Sequence, residues 1–313
     1  MNISAHQLSE ICHGRLDGDG SAVFTGIMTD SRSSGAGHDV LFIALRGPHH
    51  DGHHFIAPLY GRGVRIFLVD MLPPDRHIMA GALFIIVKNT LEALHRLAEW
   101  HRSNFRGKVI AVTGSAGKTI VKEWLAETLG TSLKVIRSPK SYNSQVGVPL
   151  SLLKIDDRYD VAIIEAGISR PGEMKKLAAM IRPDTVIVTN IGEAHGENFS
   201  DKRETAREKL LLAEGAEMII YSPDDELLND EIAMHYNDHK TFTWSFRSAA
   251  TALKAEVTDR RANGLTVRCT TADHTFDITL PFTDRASAEN AVSVVACSLA
   301  CGIEPEKIIR TVA

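Results

Sequence analysis

Short apolar runs separated by turn residues open the chain. Val40 to Leu45, Val64 to Val69 and Leu83 to Val87 read as strands set among Gly- and His-rich turns. A helix closes this stretch: Leu91, Leu94, Leu97, Ala98 and Trp100 approximate a 3.6-residue period between Leu91 and His101, and Arg106-Gly107-Lys108 breaks it. A domain boundary is expected there, separating residues 1–106 from 107–313.

Beyond the boundary the order is strand, Gly-rich turn, helix: Lys108 to Thr113, Gly114 to Lys118, then Thr119 to Leu129. Val161 to Ile164 and Thr185 to Val188 are further buried-strand candidates, each followed by a loop with polar groups. Strands alternating with helices predict an α/β fold with a mostly parallel sheet, whose ligands bind outside the carboxyl ends of the strands. Between Ala255 and Pro281 the pattern turns to alternation, in Leu265 to Cys269 and Thr275 to Leu280, with Asn263-Gly264 as a hairpin signal. An antiparallel addition to the sheet is expected. Asp284 to Gly302 is helical again, and a short helical pattern precedes Ala313.

Composition narrows the function. With 313 residues, 44% hydrophobic and 24% charged, the chain is an ordinary globular sequence longer than one typical domain. A net charge of -4 argues against a broad nucleic-acid-binding surface and leaves only a focal anion site. Met1 to Cys12 lacks the basic and apolar regions of a secretory signal, and the apolar runs fall far short of the roughly 20 residues that span a bilayer. A cytoplasmic protein with no membrane span is expected. The four cysteines, Cys12, Cys269, Cys297 and Cys301, form no C-x-x-C pair and read as reduced thiols, the last two in a core.

Candidate chemistry gathers at the predicted strand ends. Thr113-Gly114-Ser115-Ala116-Gly117-Lys118-Thr119 follows an apolar strand and opens a helix, the setting a phosphate-binding loop needs. Its backbone N–H groups can cradle phosphates, Lys118 can reach the β/γ oxygens, and the Thr119 hydroxyl can ligate Mg²⁺. Val112 stands where the strict eight-residue pattern requires Gly. Glu165 ends a strand on the same expected edge, and a hard cation takes such oxygen ligands, although a helix cap or ion-pair partner is the plainer reading. His195 after the next strand has an equally plain structural reading. Lys209, in the mixed-charge stretch Glu204 to Ala213, reads by itself as a solvated lysine. His49, His50, His53 and His54 flank Asp51-Gly52 without partner cysteines, which reads as a polar turn before a metal site.

Taken together these pieces resemble the Mur ligases along essentially the whole chain. Thr29-Asp30-Ser31-Arg32, Leu41 to Gly47 and Asp51-Gly52-His53-His54-Phe55 are similar to the family's N-terminal UDP-binding domain, which implies substrate contacts at Ser31, Arg32, Gly47 and His53. The loop Thr113 to Thr119 is similar to the family's shortened phosphate loop. Lys122-Glu123 and the segment Ser141 to Pro149 resemble the branch that adds D-alanyl-D-alanine, implying that Asn143, Ser144 and Gln145 face the substrate. Glu165 and His195 fall where the family places Mg²⁺ ligands. Lys209, fourteen positions after His195, falls at its carbamylated lysine. Asn290 matches an asparagine of the adenine-contacting helix, while Ala286-Ser287 and Ser169-Arg170 depart from the family's His-Asn and Asn-His pairs.

The resemblance implies an ATP- and Mg²⁺-dependent amide ligase that joins D-alanyl-D-alanine to UDP-N-acetylmuramoyl-tripeptide through an acyl phosphate, with Lys118, His195 and Lys209 in catalysis. A further C-terminal domain is expected of the family and is not in this sequence, so little turnover is expected of these residues alone. Some bacteria fuse this ligase to an alanine racemase, and the divergent asparagine helix is compatible with such a fusion. The rival readings are another Mur-type amino-acid ligase and a nucleotide- or precursor-binding module without turnover.

Overall fold

The apolar runs near residues 40, 66 and 83 become neighbouring strands because both faces of each are covered. In the computed structural model, which describes residues 2–33, 37–47, 50–192 and 198–312, they are Val40–Ile43, Ile66–Val69 and Leu83–Ile86, buried along nearly their whole length. The three run parallel, with Gly26–Met28 parallel at one edge and Arg15–Asp17 antiparallel at the other. Continuous apolar strands are what a two-sided parallel sheet requires. Phe67 stacks on Phe84 and meets Phe42 edge-on, at ring-centroid distances of 5.4 and 6.4 Å. The helix Thr90–Ser103 starts where the Asn89 side chain accepts the N–H groups of Leu91 and Glu92, and it buries Ala93, Leu94, Leu97 and Ala98. Trp100 falls at the margin of that stripe and stays exposed. These elements form one compact unit, Met1–Asn104; Phe105–Ala313 is a second.

The second unit is built on nine strands in the order Val135–Arg137, Val161–Glu165, Lys108–Thr113, Thr185–Val188, Met218–Tyr221, Lys240–Ser245, Leu253–Arg261, Gly264–Thr270, Thr275–Leu280. The first seven pair in parallel and the last two join antiparallel, giving the α/β class with its antiparallel addition. Three strands have no counterpart in the pattern reading. Val135–Arg137 has only three residues, Lys240–Ser245 mixes polar and apolar positions, and the four-residue run Met218–Tyr221 reads equally well as helix.

Two details correct the sequence expectation. Arg261 pairs with Gly264, so the hairpin loop is Ala262-Asn263 and Gly264 already belongs to the strand. Glycine is needed there because a Cβ would lie 2.5 Å from the Leu280 carbonyl oxygen. Cys297 is buried in the core, but Cys301, one helical turn later, caps the helix Arg285–Ala300 and is exposed. The helices Lys118–Gly130 and Arg285–Ala300 share one apolar cluster with the sheet, through Val121, Leu125, Leu129, Ala291, Val294 and Val295. No helix among the described residues is long and apolar enough to cross a membrane.

Candidate functional site

The chain leaves the central strand Lys108–Thr113 first toward Val161–Glu165 and later toward Thr185–Val188, so the sheet reverses its direction of build between Lys108–Thr113 and Thr185–Val188. Ligand sites of open α/β sheets form at the carboxyl ends flanking such a reversal. The loops leaving those two strands are knitted together. Ser115 N–H donates to the Asn190 carbonyl at 2.9 Å, Ala116 N–H to Asn190 Oδ1 at 3.1 Å, and Thr189 Oγ1 to the Ala116 carbonyl at 2.6 Å. Ser115 Oγ accepts the Gly192 N–H at 2.8 Å, which commits that hydroxyl to the loop.

Two glycines allow this approach. Gly114 (φ +138°) has no room for a side chain, since a Cβ would sit 2.0 Å from Thr189 Oγ1. Gly117 (φ +82°) precedes the helix Lys118–Gly130, and a Cβ there would sit 2.2 Å from Oδ1 of the buried Asn290. Asn290 therefore lies over the loop although it follows it by more than 170 residues. The loop opens onto a helix N-terminus whose first-turn N–H groups have no intrahelical partners, an arrangement that favours anions.

Lys118 Nζ folds back to donate to the carbonyls of Gly114 (2.8 Å) and Ser115 (3.2 Å). Lys209, buried on the helix Lys202–Leu210, reaches the same Gly114 carbonyl at 3.1 Å. Burial lowers the pKa of Lys118, against the opposing pull of Glu165. Burial and then the charge of Lys118 bring Lys209 down to about 8.

Glu165, 1% exposed, holds the other side of the site. Its Oε2 accepts from Thr119 Oγ1 at 2.9 Å and its Oε1 from Asn143 Nδ2 at 2.6 Å, while Lys122 Nζ stands 3.5 Å from Oε2. Gly167 N–H donates to the Asn143 carbonyl at 2.8 Å and fixes that residue's backbone. Thr119 and Glu165 are hard oxygen donors in contact and fit Mg²⁺. No group of three or more His, Cys, Asp or Glu suited to a metal occurs among the described residues. His195 lies outside them. A carbamate on Lys209 would add an anionic oxygen donor beside the Gly114 carbonyl.

A cavity of about 390 Å³ is lined by Ser115, Lys118, Asn143, Ser144, Gln145 and Lys209 among others. Residues assigned from sequence to nucleotide and to substrate thus share one space. Ser144 Oγ is partly committed, accepting the N–H groups of Val146 and Gly147. Larger cavities of about 560 and 710 Å³ lie at Tyr236 and at the amino ends of the strands, away from the loop Gly114 to Lys118. Chemistry rather than volume selects the smaller one.

In the first unit, Arg32 is exposed and paired with Asp30 at 2.8 Å, and the Ser31 carbonyl accepts from Arg62. Gly47 pairs with His50 in a small hairpin. His53 is nearly buried between Asp51 (Nδ1, 2.6 Å) and Asp70 (Nε2, 3.1 Å), and Arg46 bridges the same two carboxylates. His53 therefore braces the segment that carries Gly47.

Sequence reasoning passed over Thr189, Asn190 and the interior position of Lys122. For Lys122 a signal existed: it falls on the buried stripe of Val121, Leu125 and Leu129, where a charge needs a partner.

A family model described as the Mur ligase middle domain matches residues 112–298. The UDP-N-acetylmuramoyl-tripeptide–D-alanyl-D-alanine ligase of Bacillus subtilis (strain 168) is 30% identical over 291 residues, covering 91% of this chain and 60% of that protein. MurF from Acinetobacter baumannii superposes with a TM-score of 0.90 at 25% identity, covering all of this chain and 68% of the other. The MurF ligase of Thermotoga maritima in complex with ADP shares the fold, with a TM-score of 0.78 at 22% identity over 90% of this chain and 65% of the other. The chain thus spans 60% of the length of its Bacillus relative.

Proposed function

The chain belongs to the Mur ligase family, and from that membership we propose that it forms the nucleotide- and precursor-binding part of an ATP-dependent ligase joining D-alanyl-D-alanine to UDP-N-acetylmuramoyl-tripeptide. The observation that carries this reading is the convergence of Lys118 and Lys209 on the Gly114 carbonyl, in a cavity also lined by Asn143. An ATP-consuming step on a nucleotide-linked precursor implies a cytoplasmic location.

The precursor's terminal carboxylate attacks the γ-phosphorus of ATP; a C–O–P linkage forms as the bond to the β-phosphate oxygen breaks, and ADP leaves. The amine of D-alanyl-D-alanine then attacks the acyl carbon, loses a proton and expels phosphate. No protein nucleophile is required, so the chain acts by positioning and by charge. Lys118, released from its loop carbonyls, neutralises charge on the transferring phosphoryl oxygens. The loop N–H groups hold the phosphates, Asn290 borders the nucleotide, and Asn143 orients the precursor's carboxylate. Mg²⁺ supplies further charge neutralisation when bound; Thr119, Glu165, His195 and Lys209 as a carbamate would hold it.

The environment of Lys209 supports its modification. With its pKa at about 8, about one amine in ten is neutral at pH 7, against one in roughly 10³ to 10⁴ for an ordinary lysine. The neutral amine attacks CO₂, an N–C bond forms, and a proton is released. The carbamate replaces repulsion of Lys118 by attraction. In the first unit, Ser31, Arg32 and Gly47 receive the uridine diphosphate end, with His53 as their brace.

Calorimetry on the chain should show Mg²⁺·ATP binding, and UDP-N-acetylmuramoyl-tripeptide should bind more tightly than shorter precursors. Preference for a shorter precursor would favour another Mur-type ligase. A turnover assay with D-alanyl-D-alanine tests the joining step itself.

A further inference from the structure

Lys122 and Lys209 are the two buried lysines among the described residues, and the reaction above uses only Lys209. Lys122 is 0% exposed. Its Nζ donates to the Lys140 carbonyl and stands 3.0 Å from Glu123 Oε1 and 3.5 Å from Glu165 Oε2. Glu123 is held in turn by Arg137 at the end of the edge strand. One ammonium thus joins the phosphate-loop helix, the edge strand, the turn after Ser138 and the strand end that carries Glu165.

The turn is where this matters. Lys140 has φ +49°, in the left-handed region that a side chain disfavours. The strained residue is the one whose carbonyl the buried ammonium grips. Immediately after it, Ser141 Oγ meets Thr119 Oγ1 at 3.2 Å and Asn143 Nδ2 reaches Glu165 at 2.6 Å. Burying an ammonium is costly compared with the aliphatic residues Val121 and Leu125 on the same stripe, so a purely space-filling role would not favour lysine.

We propose that Lys122 is a positioning residue for the precursor: it holds the Lys140 turn in its left-handed conformation and thereby aligns Asn143 with Glu165. This rests on the reading in which Asn143 faces the precursor's carboxylate. The charge acts on the turn, whereas the phosphate loop keeps its own hydrogen bonds to Thr189 and Asn190. Loss of Lys122 therefore weakens the precursor far more than the nucleotide. Glycine at position 140 removes the steric objection to the left-handed backbone, so the turn then needs the ammonium less.

The experiment compares the full chain with Lys122→Met, Lys140→Gly and the double variant, using thermal unfolding to select folded samples. Calorimetry reads Mg²⁺-free ATP, because Lys122 also stands against Glu165, and UDP-N-acetylmuramoyl-tripeptide separately, and ¹⁵N NMR follows solvent exchange of the Asn143 side-chain amide. Lys122→Met should lower precursor affinity at least tenfold, leave ATP within about threefold and speed Asn143 exchange; adding Lys140→Gly should recover most of both losses. Equal loss of both ligands, or unchanged Asn143 exchange in a folded Lys122→Met, overturns the proposal. If Lys122→Met does not fold alone, the double variant decides: a folded double variant with protected Asn143 supports the role, and an unprotected one overturns it. A wild-type chain that binds ATP but not the precursor refutes the substrate reading instead, while the Asn143 exchange still judges Lys122.

Discussion

Lys118 and Lys209 donate to one acceptor, the Gly114 carbonyl, at 2.8 and 3.1 Å. Two ammonium groups on a single carbonyl, Lys209 buried and Lys118 half-buried, repel, and that repulsion adds to burial in holding Lys209 at about 8. The arrangement is primed for anions: phosphate oxygens at the loop, or a carbamate on Lys209, convert a repulsive pair into a compensated one.

Replacing Lys118 should therefore cost nucleotide affinity. Charge-assisted hydrogen bonds contribute about 1.5–3 kcal/mol, so Lys118→Ala is expected to weaken Mg²⁺·ATP by about ten- to a hundredfold in calorimetry. A folded variant with wild-type affinity would remove Lys118 from the phosphate site.

Unmodified Lys209 should leave a pH signature on stability. Its folded pKa of about 8 lies below the ordinary lysine value of 10.5, so the unfolded chain binds more protons between them and stability rises with pH across that window. The penalty is fully present below about pH 8 and is relieved as pH approaches 10.5, up to about 3 kcal/mol. In CO₂-free buffer the unfolding midpoint of Lys209→Met should respond less to pH from 8 to 10 than that of the wild type. Parallel curves would contradict the burial of a charged Lys209.

Carbamylation itself is open to direct observation. ¹³C-bicarbonate added at pH 8 should give a carbamate carbonyl resonance that fades on acidification and is missing in Lys209→Ala. A resonance that survives the substitution would assign the modification elsewhere.

The first unit carries its own test. UDP titrated into the chain should shift the backbone resonances of Ser31, Arg32 and Gly47, and Arg32→Ala should weaken UDP binding severalfold while leaving Mg²⁺·ATP unaltered. His53→Ala should act through stability, lowering the unfolding midpoint, because its ring bridges Asp51 and Asp70. Shifts confined to residues 105–313 would refute a UDP site in the first unit.

Local sequence determined most of the scaffold. The apolar runs specify buried parallel strands, the Gly-rich turn after Lys108 to Thr113 specifies a tight loop that opens a helix, and alternation after Leu265 specifies the antiparallel strands. These depend on side-chain period and backbone freedom within a few residues. In the nine-stranded sheet three short strands escaped because three to six residues hold too little pattern to exclude a helix or loop. The charges at the site were decided only by tertiary structure. Lys209 looks solvated in its own helix, yet it is buried because Gly114, 95 positions away, supplies its acceptor. Lys122 is stable inside the core only because Lys140 and Glu165 meet it there. Whether a lysine is a solvated surface group or a buried cation depends on its long-range partners, which the folded sheet brings together and local periodicity does not encode.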